Sequence, residues 1–210
     1  MSNKILFIDC ETGGINENET SLLTIAGIIC EDSAEYTKSF DYKITEACYR
    51  VMPAAMKINK IDLSKLAEDG ITRYAVARRI LEFCKTNFGD PRNNNYQKIR
   101  IGGHNVAFDV RFLKKLINDY SCVSTLEYDD VFSHRNIDTY PIAGFLNDCD
   151  YFRGSKIGSL ESLCQYFNIS NDNAHNALSD VEATAKIYYK MKNAITEIIS
   201  DWRKPIKTTR

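Results

Sequence analysis

The chain has 210 residues, 44% hydrophobic and 26% charged, ordinary for a soluble globular protein and enough for one domain with a real core. Its 27 basic residues face 28 acidic ones, which excludes a grip on nucleic acid by bulk charge. Any such contact must be local, with metal ions supplying much of the positive field. The seven cysteines (10, 30, 48, 84, 122, 149 and 164) are scattered, without a C-x-x-C or a close Cys/His pairing. A disulfide scaffold and a zinc site are therefore not expected, and the thiols read as small apolar residues. No signal peptide or membrane-spanning stretch is read, so the expected location is the cytoplasm, with no membrane partner.

Ile5-Leu6-Phe7-Ile8 is a continuous apolar run that ends in Asp9-Cys10-Glu11. A short run apolar on both faces predicts a central buried strand. Asp9 and Glu11, two apart, then point to the same side. Two carboxylates side by side in a partly buried place repel each other and lose hydration. A hard divalent cation between them would justify that cost, although a solvated strand end feeding a turn is the plainer alternative. Thr12-Gly13-Gly14 breaks the strand.

Residues 22–30 and 36–44 predict a second strand and its hairpin partner, 46–68 irregular helix, and 72–88 an amphipathic helix. A turn-rich loop follows at 89–95, then a short strand at 99–101 that Gly102-Gly103 should stop. The next helix begins near Ala107, with Phe108, Phe112, Leu113, Leu116 and Ile117 on one face. It puts Asp109 in its first turn, where an acid also simply answers the helix dipole. Asp138 reads as the N-cap of a helix through Leu146, and 159–167 as another short helix.

A last long helix is expected from about Ser179 to Ile199, opened by a capping box in which Ser179 caps and Glu182 answers. His175 and Asp180 are five apart and share no face if both are helical. The cap resolves this by leaving His175 in the lead-in loop, over a site that Asp180 faces. Alone, His175 is a loop histidine and Asp180 a first-turn acid. Residues 1–200 are expected to form one domain and 201–210 a basic, frayed tail.

Four carboxylates and one histidine thus stand at strand ends and helix starts, where ligands gather in open α/β sheets. Their surroundings are Phe7-Ile8-Asp9-Cys10-Glu11-Thr12-Gly13-Gly14, Gly103-His104-Asn105-Val106-Ala107-Phe108-Asp109 and His175-Asn176-Ala177-Leu178-Ser179-Asp180. In that order they resemble the D-x-E-T-x-G, H-N-x-x-F-D and H-x-A-x-x-D motifs of the DnaQ-like DEDDh exonucleases. The likeness spans roughly residues 4 to 192. It departs at Thr24 and at Asn59-Lys60, where many relatives carry glutamate and His-Gly, and in the longer insert at 89–98.

The resemblance implies a ribonuclease H-like α/β fold, with a central mixed sheet of about five strands flanked by helices. It implies a 3′→5′ exonuclease in which Asp9, Glu11, Asp109 and Asp180 hold two Mg²⁺ or Mn²⁺ ions. His175 would take a proton from the attacking water, and the product would be a nucleoside 5′-monophosphate. Thr12, Gly13, Asn105 and Phe108 are the candidate substrate contacts, Gly13 because its backbone can approach a sugar closely. For Phe108 core packing is the stronger reading.

Single-stranded nucleic acid or 3′ ends are the expected substrate. DNA is favoured by analogy with proofreading relatives, with a polymerase or other replication or repair protein as a possible partner. An RNA-trimming exoribonuclease and a non-catalytic nucleic-acid-binding module of the same fold are the alternatives. A P-loop or G-x-G-x-x-G is absent, which leaves an unrelated nucleotide-binding domain without support.

Overall fold

The computed structural model describes residues 4–155, 157–171 and 175–202; of the expected tail at 201–210, residues 201–202 belong to the last helix and 203–210 lie outside the described residues. The apolar run at the N-terminus forms β1 (Lys4–Thr12), with Ile5, Leu6, Phe7 and Ile8 all at 2% exposure or less. Antiparallel β2 (Leu22–Glu31) lies beside it, followed by antiparallel β3 (Tyr36–Thr45). The segment 46–70 then contributes two short helices, α1 (Pro53–Asn59) and α2 (Leu63–Asp69). After β4 (Ile71–Thr72), Thr72 caps α3 (Arg73–Phe88).

β5 (Arg100–Gly103) runs parallel to β1 on its other side. It is followed by α4 (Ala107–Ser124), α5 (Tyr128–Val131), β6 (Ile137–Asp138), α6 (Thr139–Asp148), α7 (Leu160–Phe167) and α8 (Ala177–Trp202). The sheet order is β4-β3-β2-β1-β5-β6, so β1 is central and the two-residue strands β4 and β6 sit at the edges. That makes six strands rather than about five, because two-residue strands carry no periodicity to read.

Gly102 and Gly103 do not stop the fourth expected strand; they lie within β5. Gly102 pairs with Phe7, and a Cβ there would meet the Phe7 ring at 2.6 Å. The glycine leaves room for the aromatic ring beside it.

β1 divides the core by parity. Leu6, Ile8 and Cys10 face α3 and α4, where Val76, Ile80, Phe112, Leu113, Leu116 and Ile117 close the layer. Ile5 and Phe7 face α8, through Ala177, Val181, Ala185 and Tyr189 at a four-residue spacing. The adjacent face of α8 (Ala183, Ile187, Met191) packs on Ala143, Leu146, Leu163 and Cys164 of α6 and α7. Each fully buried Leu, Ile or Phe contributes about 1.5–3 kcal/mol over its exposed state. The helices on both faces thereby fix the position of the β1 end.

Candidate active site

The pairing of β1 with β5 ends at Phe7 and Gly102. Asp9, Cys10 and Glu11 project beyond it, at the carboxyl ends of the parallel strands, where an open α/β sheet leaves a crevice. Asp9 and Glu11 continue the parity of Ile5 and Phe7 and so point toward the start of α8. Both are half-buried.

Burial, followed by the charges of Asp109, Asp180 and Glu11, pushes the Asp9 carboxyl well above the usual carboxylate range. Burial with Asp180 and Asp109 pushes Glu11 up to about 8. Asp109 is raised to about 7, mainly by burial and against the hydrogen bonds it accepts from Cys10. These groups act on one another electrostatically, and near neutral pH they need either protons or a cation.

Asp109 reaches this cluster from the first turn of α4. It is 4% exposed and accepts the Cys10 N–H at 2.9 Å, on the strand segment that β5 no longer accompanies. The turn before it is shaped by Asn105, whose φ is 57°. Asp138 holds that turn by accepting Asn105 N–H at 2.8 Å and Val106 N–H at 3.0 Å, while capping α6 through Tyr140 N–H at 3.0 Å. The N-cap reading of Asp138 holds, and the residue braces the second motif as well. His104 pairs its Nδ1 with Thr139 Oγ1 at 2.9 Å, so its ring is occupied inside the fold.

Asp180, 7% exposed, comes from the first turn of α8. The helix opens two residues earlier than the expected Ser179 cap. Asp180 N–H already donates to Asn176 O at 2.9 Å, and Asn176 Oδ1 accepts Ser179 N–H at 3.2 Å. Asn176 is the capping side chain. Glu182 instead accepts the Tyr36 hydroxyl at 2.8 Å, so the Ser179/Glu182 box does not form. Asparagine caps as well as serine, and the sequence reading passed over Asn176.

His175 does lie in the lead-in, in a left-handed conformation with φ 67° that is uncommon for a residue with a side chain. One ring nitrogen of His175, one oxygen of Glu11 and one of Asp180 lie within 4.8 Å of one another. Oxygen and imidazole donors around that gap suit a hard divalent cation. A cleft of about 200 Å³ opens from Glu11 and His175 toward Thr24, Asp41, Lys43, Asp62 and Lys65. A wider cleft, about 620 Å³, lies elsewhere, by Lys4 and the insert at 89–98, and none of the five residues lines it.

The expected substrate contacts fare unevenly. Thr12 is buried and donates its hydroxyl to Gly14 O at 2.7 Å. Gly13 N–H donates to Ser21 O at 2.7 Å and its carbonyl accepts Met52 N–H at 2.6 Å. A Cβ on Gly13 would meet Arg50 O at 2.4 Å. The close approach that requires this glycine is therefore to residues 50–51 of the chain itself.

Asn105 is exposed. Phe108 is half-buried, 5.2 Å from the Phe112 ring centroid and under the Arg111 guanidinium. At the sequence departure, buried Asn59 donates Nδ2–H to Thr12 O at 3.1 Å, which ties α1 to the end of β1. Sequence reasoning missed that contact, and also the role of Asn171, whose amide Nδ2–H donates to Asp180 Oδ1 at 2.7 Å. Neither asparagine carries a local signal, since each meets its partner only through the tertiary fold.

Residues 6–188 match the family model described as Exonuclease, RNase_T. The Ribonuclease T of Shewanella denitrificans is 29% identical over 199 residues, covering 89% of this chain and 79% of that protein. The Ribonuclease T of Photorhabdus laumondii is 24% identical over 208 residues, covering 96% and 88%. Among solved structures, exonuclease I superposes with a TM-score of 0.70 at 22% identity, over 96% of this chain and 44% of that one. Exonuclease I of E. coli in complex with a dT13 oligonucleotide gives 0.72 at 21% identity, over 94% and 43%. These structures share the fold, and the chain spans less than half of their length.

Proposed function

The chain belongs to the exonuclease family matched over residues 6–188, the DEDDh enzymes of ribonuclease H-like fold, and from that premise we propose that it trims single-stranded nucleic acid from the 3′ end. The observation that carries the reading is the convergence of Asp9, Glu11, Asp109 and Asp180, with His175 beside them, at one end of β1.

The four carboxylates and the His175 gap fit divalent cations, Mg²⁺ or Mn²⁺, since crowded half-buried acids otherwise repel. Bound there, such ions polarise the phosphodiester and acidify a water. The chain's own residues do the rest. Asp9 and Glu11 present oxygens from a strand that the core holds rigid. Asp109 and Asp180 add theirs from the first turns of α4 and α8. His175, exposed on its turn, accepts the proton of the attacking water through its imidazole. Products are nucleoside 5′-monophosphates.

RNA stands ahead of DNA as the substrate in this reading. The relatives that cover most of both chains are named Ribonuclease T, whereas the neighbours holding DNA oligonucleotides support the fold. The DNA preference expected from motif form alone is the weaker of the two. End-labelled single-stranded RNA, single-stranded DNA and duplexes, incubated with Mg²⁺, with Mn²⁺ and with EDTA, test reaction and substrate together. The expected result is a ladder that shortens from the 3′ end on single strands, fastest on RNA, and only with metal. Cleavage unaffected by EDTA would remove the metal reading.

A further inference from the structure

Asp180 uses both carboxylate oxygens inside the protein. Oδ1 accepts the Asn171 amide at 2.7 Å and Oδ2 accepts the backbone N–H of His175 at 3.0 Å. Asn171 is itself fixed, because its Oδ1 accepts the Ser179 hydroxyl at 2.6 Å. The amide can point only one way here. A carboxylate accepts and cannot donate, so the NH₂ group must face Asp180 and the carbonyl must face Ser179, whose hydroxyl then donates.

The result is a closed arrangement. Ser179 orients Asn171, Asn171 orients Asp180, and Asp180 tethers the turn that carries His175. That turn needs a tether. His175 sits at φ 67°, and its ring is exposed with no hydrophobic cluster to hold it. An L residue with a side chain pays for this backbone region unless local bonds over-determine it.

We propose that Asn171 is a positioning residue for the active site: it fixes the Asp180 carboxylate for metal and, through Asp180, the turn that presents His175. The proposal rests on the reading of Asp180 as a metal-holding carboxylate. Each oxygen of Asp180 keeps a second lone pair after its internal bond, so the tie to Asn171 does not compete with a cation. It sets the direction in which the remaining lone pairs point. Removing hydrogen-bond partners of metal-holding side chains typically costs 10–100-fold in affinity or activity.

The test uses the full chain, stripped of metal, as wild type, Asn171→Leu, Asn171→Ala and Ser179→Ala. Leucine keeps the shape of the side chain and removes the donor. Three readouts are taken: Mn²⁺ affinity by titration without substrate, kcat and KM on a single-stranded oligonucleotide, and the melting temperature in EDTA. Asn171→Leu and Asn171→Ala should each weaken Mn²⁺ binding and lower kcat by about 10–100-fold, with KM and the EDTA melting temperature close to wild type. Ser179→Ala, which frees the amide but keeps it, should show a smaller loss of the same kind. If the Asn171 variants fail to fold, Ser179→Ala decides by the same readouts. Wild-type Mn²⁺ affinity and kcat in the folded variants overturn the proposal while the exonuclease reading stands. A wild-type protein that binds no Mn²⁺ and cuts no strand overturns both.

Discussion

The two halves of the active site are held by different forces. Asp9, Glu11 and Asp109 stand on β1 and α4, whose core residues Ile5 to Ile8 and Phe112, Leu113, Leu116 and Ile117 are locked in place at 2% exposure or less. Asp180 and His175 stand at the start of α8 and on the turn before it, held by Asn171, Asn176 and one backbone N–H. Core packing places the first half, so its residues can crowd charge without moving. Core packing through Ala177 and Val181 also seats α8, but polar ties aim the Asp180 carboxylate and hold the His175 turn, so that geometry depends on a few hydrogen bonds. On the proposed reading the carboxylate crowd is a fixed demand for a cation, and the histidine turn is the adjustable part.

Variants of each half separate the two. The largest effect is expected in the rigid half. Asp9→Ala should reduce cleavage to background while the EDTA melting temperature stays level or rises, because one of several repelling acids has gone; thermal unfolding beside a nuclease assay checks both. A fall in melting temperature would mean that Asp9 supports the fold rather than burdens it. In the adjustable half, His175→Ala should lower kcat by about 10²–10⁴-fold while Mn²⁺ titration still shows binding. An unchanged pH–rate profile in that variant would take the proton-accepting role from His175.

The metal-free protein offers a third measurement. Glu11 and Asp109 titrate near 8 and 7 in the folded state, against about 4 in an unfolded chain. Below pH 4 both states hold the protons and there is no penalty. Above about 4 the folded state keeps protons that the unfolded state has lost, so stability falls as pH rises through about 8. The melting temperature in EDTA should therefore be higher at pH 5 than at pH 8, and added Mg²⁺ should shrink the difference. A curve in EDTA that rises from pH 5 to pH 8 would show that the acid crowd does not govern stability.

The smallest effect concerns the helix start. Asn176→Ala should cost about 1 kcal/mol of stability as a lost N-cap, read by urea unfolding. Ser179→Ala should cost less, because Ser179 does not cap.

The rigid half was the legible one. Ile5-Leu6-Phe7-Ile8 announces a strand buried on both faces, and a period of two then fixes where Asp9 and Glu11 point. The α4 stripe from Phe112 to Ile117 likewise announces its buried face and places Asp109 at its start. The adjustable half was harder to read because two cap signals overlap. Ser179-x-x-Glu182 matches a capping box in local terms, yet Tyr36, 146 residues away in sequence, engages Glu182. Asn176 takes the cap, and the helix begins earlier. The two-residue strands and the four-residue α5 are too short to leave a period. Gly13 was readable as a tight place but not as tight against Arg50 rather than a ligand, since that contact exists only after 46–52 folds back on β1.

The order of the site residues along the chain has a consequence for the timing of synthesis. Residues 9 and 11 leave the ribosome first, and residue 180 follows only after the whole sheet has been translated. Until α8 is made and docks against Ile5 and Phe7, a nascent polypeptide lacks Asp180 and the bond by which it holds His175. On the proposed reading, an unfinished copy carries three quarters of the acidic set, and the capacity to cut arrives with that helix.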